Sequence, residues 1–303
     1  MPYAHVVDGS TPLRLADIDP AGHGDVREAS ATRRLESLTE ELRELQDLLF
    51  AAETDGVLVV LQGMDAAGKD VTIRNVFAAA SPEAIRVKHF TEMTEEEQGH
   101  DFLWRAHLAV PKRGELVIFD RSYYEQLILP QVVDHDDDSG DEDPIVAAAA
   151  ADPAVLESRF EDVRAFESIL RHGRIVVVKV FLHVSAQEQE RRLRERMDDP
   201  TKAWKISAND WRARRSWDRY MDAYEATINA TATPEAPWAV IPADLQWFHN
   251  LAVAELLVER LTDHREAWLT ARQRVGEEKH DEARQEMDEG EEGDSTRETP
   301  PKA

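Results

Sequence analysis

A chain of 303 residues with no cysteine has room for one large α/β domain but cannot form a disulfide. Its formal net charge of −25 argues against a nucleic-acid-binding protein, and no apolar run approaches the length of a membrane span. Because the start of the chain does not look like a signal peptide, we expect a cytoplasmic protein without nucleic-acid or membrane partners.

In chain order, residues 1–30 are rich in Pro, Gly and Asp and predict an irregular N-terminal arm. Leucines at helical spacing then predict an amphipathic helix that packs on the core: Leu35, Leu38, Leu42, Leu45 and Leu49. Apolar runs predict β-strands at 57–61, 85–90, 115–119, 175–183 and 238–241. Since helical stretches separate these runs, residues 31–276 predict a three-layer α/β domain with a central parallel five-stranded sheet.

The first strand leads into Gly63-Met-Asp-Ala-Ala-Gly68-Lys69, which has the G-x-x-x-x-G-K spacing of a phosphate-binding loop. A helix-prone stretch follows, so backbone N–H groups and a helix N-terminus point at one spot. The predicted phosphate-binding residues of this loop are Gly63, Ala66, Ala67, Gly68, Lys69 and Asp70. Asp70 stands where a Ser or Thr usually helps to hold Mg²⁺, and Asp65 is the substitute ligand we predict. The alternative is a chance glycine turn.

The strand at 115–119 ends in Asp120, followed by Arg121. In open α/β sheets, ligands bind outside the carboxyl ends of the strands, so Asp120 should project into the same crevice as the loop. There it could be a second carboxylate for Mg²⁺. The alternative for Asp120 is a turn-capping aspartate at the end of a strand.

Charge is unevenly distributed along the chain. Residues 171–219 carry thirteen Lys and Arg against seven Asp and Glu, a net +6, whereas 134–143 and 277–303 each carry a net −7. Most of the basic block falls in a helical stretch at 185–230, which predicts a mobile lid whose arginines bind phosphate. Its predicted phosphate ligands are Arg191, Arg192, Arg196, Lys202 and Lys205. The alternative is a solvated helix pair held by Glu–Arg bridges. Residues 277–303 predict a disordered acidic tail.

Several motifs in order resemble the polyphosphate kinase 2 family. They include the loop Gly63–Asp70, the segment Phe119–Glu125, the pair Arg191-Arg192, the stretch Asp199–Lys205 and the run Ala236–Asp244. The resemblance covers residues 33–262. It implies a P-loop kinase-like fold and reversible, Mg²⁺-dependent phosphoryl transfer between inorganic polyphosphate and AMP or ADP, giving ADP or ATP.

The resemblance also implies roles for individual residues. Asp65 and Asp120 would hold the metal, Lys69 would bind phosphate, and Arg121 and the lid arginines would grip the phosphate chain. The Tyr-Tyr-Glu sequence that ends at Glu125 is similar to the branch that phosphorylates AMP as well as ADP. The run Thr91-Glu92-Met93 departs from the family, whose members often carry Lys and then Pro there.

Two other functions remain open from the sequence. One is an ATP-dependent nucleoside-monophosphate kinase, which shares the sheet, the loop and an arginine lid. Asp70 and the length of the basic block argue against it. The other is a non-catalytic nucleotide-binding module, against which the presence of Asp65, Lys69 and Asp120 argues. We also expect a homo-oligomer.

Overall fold

The computed structural model of the chain describes residues 3–132, 144–201, 204 and 207–295, with side chains up to residue 287. The strands are β1 (His5–Val7), β2 (Gly56–Gln62), β3 (Ile85–His89), β4 (Leu116–Asp120), β5 (Ile175–His183) and β6 (Trp238–Pro242). The α-helices are α1 (Glu28–Ala52), α2 (Lys69–Val76), α3 (Glu95–Gln98), α4 (Trp104–His107), α5 (Glu125–Val132), α6 (Pro144–Ala151), α7 (Pro153–His172), α8 (Ala186–Asp198), α9 (Ala208–Arg215), α10 (Trp217–Thr231), α11 (Gln246–Thr262) and α12 (Arg265–Ser295). The acidic insertion 134–143, Lys202, Lys205 and residues 296–303 lie outside the described residues.

The strands form one sheet in the order β1-β6-β5-β2-β4-β3. The five predicted strands are all parallel, because helices connect them and return the chain to the same end of the sheet. β2, β4 and β6 are buried along their whole length, as their continuous apolar sequences require. The predicted α/β sheet is confirmed, and its central strand β2 leads directly into the phosphate-binding motif.

Two groups of helices cover the sheet. α1, α2, α11 and α12 pack with one another, and α5, α6, α7 and α10 form a second group. Four of the leucines that predict α1 are buried: Leu38, Leu42, Leu45 and Leu49. Among the helices of the described ranges, none is both long and apolar enough to cross a membrane.

The N-terminal arm is more ordered than its composition predicts. β1 pairs antiparallel with β6 and adds a sixth strand at the edge of the sheet. The arm is also tied to α10, because the Asn229 side chain accepts from Leu13 N at 2.7 Å and donates to Leu13 O at 2.9 Å. A strand of three residues gives too short a pattern to be recognised in the sequence.

Residues 277–295, for which the sequence predicts disorder, continue α12 as a helix. The first turns of α12 are anchored, since Trp268 is fully buried and its indole N–H donates to Asp55 Oδ2 at 2.8 Å. The side chains at 276–287 are exposed, and Arg274 pairs with Glu278 one turn on. Ala, Glu, Lys, Arg and Gln are good helix formers, so local propensity can extend a helix that has nothing to pack against.

A protein ending at Arg274 should therefore unfold at nearly the same temperature as the full chain. It keeps Trp268, and apart from the half-buried Val275 the described side chains that it loses are exposed, so stability should change by about 0.5 kcal/mol or less. Thermal unfolding of the two proteins, followed by circular dichroism at the same concentration, tests this expectation. A large drop in the unfolding temperature, or aggregation of the shorter protein alone, would show that residues 275–303 pack on the domain.

Candidate active site

The turn between β2 and α2 has the geometry that the sequence motif predicts. Gly63 has φ 151° and Gly68 has φ 118°, backbone conformations that residues with a Cβ rarely adopt. A Cβ on Gly68 would lie 2.6 Å from His249 Cε1, and one on Gly63 would lie 2.9 Å from Leu182 O. Ala66 also has a positive φ, 62°. The loop therefore lies close against the core beneath it, with the N-terminus of α2 at its end.

Lys69 is buried and folds back over the loop. Its Nζ donates to Gly63 O at 2.8 Å and to Met64 O at 3.2 Å. An ammonium group has three N–H donors, so these bonds leave one donor for an anion held in the loop. The charge of Lys69 also acts on its neighbour Asp65: burial opposes ionisation of this carboxyl, but Lys69 and Arg121 outweigh it and hold the pKa of Asp65 below its ordinary value.

Asp120 lies where the sequence predicts, at the carboxyl end of β4 beside the loop strand. It is in register with Leu61 of β2 and is 5 % exposed. Its Oδ2 is 3.0 Å from His89 Nδ1, whereas its buried Oδ1 has no hydrogen-bond partner among the described residues. Arg121 follows it and forms a short ion pair with Asp65, so the loop and the end of β4 are in direct contact.

These carboxylates suit a hard divalent cation. Mg²⁺ is commonly held by one or two carboxylates, with water and phosphate oxygens completing its coordination. The buried Oδ1 of Asp120 and the carboxylate of Asp65 fit such a site. In the described part of the chain, no group of three or more His, Cys, Asp and Glu side chains is placed to hold a metal, so protein ligands alone would not complete a cage.

Arg192, predicted to bind phosphate, contacts the backbone of the loop. Its Nη1 donates to Ala66 O at 3.1 Å and Ala67 O at 2.8 Å, and its Nη2 donates to Ala243 O at 2.7 Å and Asp244 O at 2.8 Å. Its Nε donates to Glu188 Oε1 at 2.7 Å, and the residue is 8 % exposed. All five N–H groups of the guanidinium are therefore used, which leaves none for a phosphate in this arrangement.

The other lid arginines differ from Arg192. Arg191 is exposed and pairs with Glu188 and Glu195 on its own helix, the solvated arrangement that the sequence left open. Arg196 is one turn beyond Arg192, lies at the same cavity as the loop, and approaches Asp210 Oδ2 at 3.4 Å. The predicted roles of Lys202 and Lys205 fall on residues outside the described ranges.

Asp210, on the lid helix α9, is a site residue that sequence reasoning missed. Ser207 caps this helix, its Oγ accepting from Asn209 N at 3.1 Å. Burial and the nearby charge of Asp65 raise the pKa of Asp210 to about 6, and the two carboxyls are hydrogen-bonded. A single aspartate within a basic block gives no local sequence signal of a site residue. Its place next to Asp65 becomes visible only in the folded structure.

Two cavities meet at this point. The first, here called the loop cavity, has a volume of about 740 Å³ and is lined by Gly68, Lys69, Arg74, His89, Asp120 and Arg196, among others. The second, here called the aromatic cavity, has a volume of about 640 Å³ and is lined by Phe90, Met93, Arg105, Glu125, Tyr220 and Tyr224, among others. Both cavities are lined by Asp65, Arg121, Ser207 and Asp210.

The aromatic cavity includes residues whose roles the sequence did not indicate. Tyr220 and Tyr224 are half-buried and buried respectively, and they face this cavity from α10. Glu125 is half-buried there, and burial raises the pKa of its carboxyl. The run Thr91-Glu92-Met93, which departs from the family pattern, lies on the wall of the same cavity. The departure therefore concerns the aromatic cavity and not the loop.

Comparison with known proteins gives one consistent result. Residues 25–267 match the family model described as Polyphosphate kinase 2. The chain is 42 % identical over 254 residues to the AMP/ADP-polyphosphate phosphotransferase of Meiothermus ruber, covering 84 % of this chain and 90 % of that protein. It is 37 % identical over 234 residues to the ADP-polyphosphate phosphotransferase of Rhodopseudomonas palustris, covering 75 % and 78 %.

Among solved structures, the fold is similar to Polyphosphate Kinase 2 from Arthrobacter aurescens TC1. The TM-score is 0.76 at 36 % sequence identity, and the match covers 84 % of this chain and 87 % of that one. Sequence and fold comparisons thus agree on the same family.

Proposed function

The chain belongs to the polyphosphate kinase 2 family and is an enzyme of that type, and we propose that it transfers a terminal phosphoryl group between inorganic polyphosphate and AMP or ADP, in either direction. The observation that carries the proposal is the junction of the loop cavity and the aromatic cavity at Asp65, Arg121 and Asp210. The loop cavity offers backbone amides and cations to a row of phosphates. The aromatic cavity offers rings to a nucleobase. A phosphoryl group exchanged between the two ligands would cross the junction.

A divalent metal is expected for a kinase-type enzyme of this family, and we assign Mg²⁺ to Asp65 and Asp120. When bound, the metal would neutralise charge on the phosphate oxygens during transfer. The buried Oδ1 of Asp120 supports this assignment, because it has no hydrogen-bond partner within the described part of the chain and a buried carboxylate oxygen is rarely left unpaired.

The remaining cations have distinct roles in this proposal. The loop amides from Ala66 to Asp70 and the Nζ of Lys69 bind phosphate, and the glycines at 63 and 68 allow its close approach. Arg121 is at the junction and compensates the charge that develops on the transferred group, and Arg196 extends the basic lining along the lid. Arg192 keeps the loop in shape, and Arg191 contributes only long-range charge. Lys202 and Lys205 remain predicted phosphate ligands.

Phosphoryl transfer here needs no general base. The acceptor is a phosphate oxygen, and because the second phosphate pKa is about 6, that oxygen is largely anionic near neutral pH. Catalysis then consists of alignment and charge compensation in a loose transition state. We assign this alignment and charge compensation to four residues: Asp65, Lys69, Asp120 and Arg121.

The two alternative functions are not favoured by the comparisons. An ATP-dependent nucleoside-monophosphate kinase would share the sheet, the loop and the lid, but the family match and the names of the relatives point to polyphosphate. A non-catalytic nucleotide-binding module would not need Asp65 and Asp120 beside a phosphate-binding loop. The expected homo-oligomer remains a prediction.

Polyphosphate should be the donor for nucleotide synthesis, because the basic block of net +6 lies next to the loop in an otherwise acidic chain. The experiment incubates the protein with Mg²⁺, polyphosphate, and AMP or ADP in separate reactions, and resolves the products by ion-exchange chromatography. A parallel reaction with ATP and AMP is the control. Rapid AMP phosphorylation by ATP, with none from polyphosphate, would identify a monophosphate kinase instead.

A further inference from the structure

A polar network lies inside the core, outside both cavities. The hydroxyls of Tyr123 and Tyr124 both donate to Glu167 Oε1, at 2.8 and 2.6 Å. Lys179 Nζ donates to Glu167 Oε2 at 2.7 Å, to the Tyr124 hydroxyl at 3.2 Å and to Thr231 O at 2.9 Å. The two tyrosines and Lys179 are fully buried, and Glu167 is 3 % exposed. The network joins α7, β5 and the end of α10 to the segment that follows β4.

Stability alone does not account for this network. Taking Lys179 and Glu167 out of water costs free energy that their attraction barely offsets, and apolar side chains of similar size usually stabilise such a site as well or better. Burial lowers the pKa of Lys179 and raises those of Tyr123 and Tyr124, which shows the same cost of desolvation. A fully satisfied polar network does, however, fix geometry more sharply than an apolar contact.

The segment that the network holds, residues 121–124 and here called the Arg121 segment, has a strained backbone. Arg121 has φ 61°, a left-handed conformation that non-glycine residues keep only where their surroundings impose it. On one side the segment is tied to the loop strand: Arg121 N donates to Leu61 O at 3.1 Å, and Gln62 Nε2 donates to Ser122 Oγ at 3.2 Å. On the other side its ties are the two tyrosine hydroxyls bound to Glu167.

The network is also in register with the phosphate-binding loop. Lys179 pairs with Val60 of β2, three residues before Gly63. Lys179 therefore lies on the strand paired with β2, which leads into the loop, and also contacts the Arg121 segment through the Tyr124 hydroxyl. Arg121 in turn lies where the two cavities join and pairs with Asp65. A displacement of about 1 Å at such a point can cost on the order of a hundredfold in rate.

We propose that Glu167 and Lys179 are positioning residues for phosphoryl transfer: acting through Tyr123 and Tyr124, they keep Arg121 in the conformation that directs its guanidinium at the junction of the cavities. This role rests on the proposed function. It predicts a defect in the chemical step and not in substrate binding, because none of the four network side chains lines either cavity.

The test replaces both charges together. Glu167→Met with Lys179→Met leaves no unpaired charge, removes the oxygen that accepts from both tyrosine hydroxyls and nearly keeps the volume, so the protein should fold. We expect kcat to fall about tenfold or more, and KM for polyphosphate and nucleotide to change by less than about twofold. Asn229→Ala is the matched control: it removes the bonds to Leu13 and so lowers stability elsewhere, and it should leave kcat unchanged.

A double-mutant cycle separates positioning from general loosening of the core. If the network acts through Arg121, the paired substitution should lower kcat by less than about twofold in a protein that already carries Arg121→Lys. Tyr124→Phe repeats the cycle with one hydroxyl removed, should the paired variant fail to fold. Equal losses in both backgrounds, or an unchanged kcat with intact Arg121, would overturn the positioning role. A wild-type protein that transfers no phosphoryl group would instead contradict the proposed function.

Discussion

Asp120→Asn should lower kcat by a hundredfold or more while the protein stays folded. The substitution keeps the size of a side chain that is 5 % exposed, but it removes the negative charge that we assign to the metal. Loss of one preorganised electrostatic contact to a transition state typically costs about a hundredfold to a thousandfold in kcat. The measurements are kcat at saturating Mg²⁺, the thermal unfolding temperature, and direct titration of Mg²⁺ binding. Asp65→Asn should behave in the same way.

Glu83→Gln is the matched control for these variants. It removes an exposed carboxylate just before β3, at the end of the sheet away from the site, and should leave kcat and Mg²⁺ affinity unchanged. Near-normal kcat in Asp120→Asn would remove Asp120 from the mechanism. Wild-type Mg²⁺ affinity with a low kcat would keep Asp120 in the site but exclude it as a metal ligand.

Much of the fold follows from the sequence because its strongest signals are local. The runs that became β2 and β4 are continuously apolar, as strands buried on both faces must be, and the glycine spacing after β2 has one common structural meaning. The position of Asp120 follows from topology, since parallel strands end at the same edge of a sheet. The edge strand β1 and the long helix α12 were missed because one is three residues long and the other is polar throughout its exposed part.

The roles of the lid residues could not be derived in the same way. Helical spacing correctly places Arg192 and Arg196 on one face of α8. Their different positions along the helix decide which groups each one contacts. Arg192 reaches the loop carbonyls, and Arg196, one turn later, reaches the cavity. Asp210 was missed because its neighbour Asp65 is distant in sequence and its neighbour Arg196 is on another helix. Such contacts are set by tertiary packing, which leaves no periodic signal in the sequence.

Arg192→Lys should destabilise the protein and slow it, although the charge is kept. A lysine has three donors and no planar fork, so it cannot satisfy the carbonyls of Ala66, Ala67, Ala243 and Asp244 together. Each buried carbonyl left without a partner costs about 1–3 kcal/mol, so we expect the free energy of unfolding to fall by about 2 kcal/mol or more. Because the loop then loses its shape, kcat should fall about tenfold.

Arg191→Lys is the comparison that makes this result interpretable. Arg191 is the adjacent arginine, exposed and paired with two glutamates of its own helix, so its replacement should change stability by about 0.5 kcal/mol or less. Thermal or urea unfolding and the KM for polyphosphate are measured for both variants. If Arg192 gripped phosphate directly, its lysine variant would keep wild-type stability and raise KM for polyphosphate. A brace predicts the opposite pair of results: lower stability and kcat, with KM for polyphosphate nearly unchanged, because lysine keeps the positive charge that attracts the polyanion.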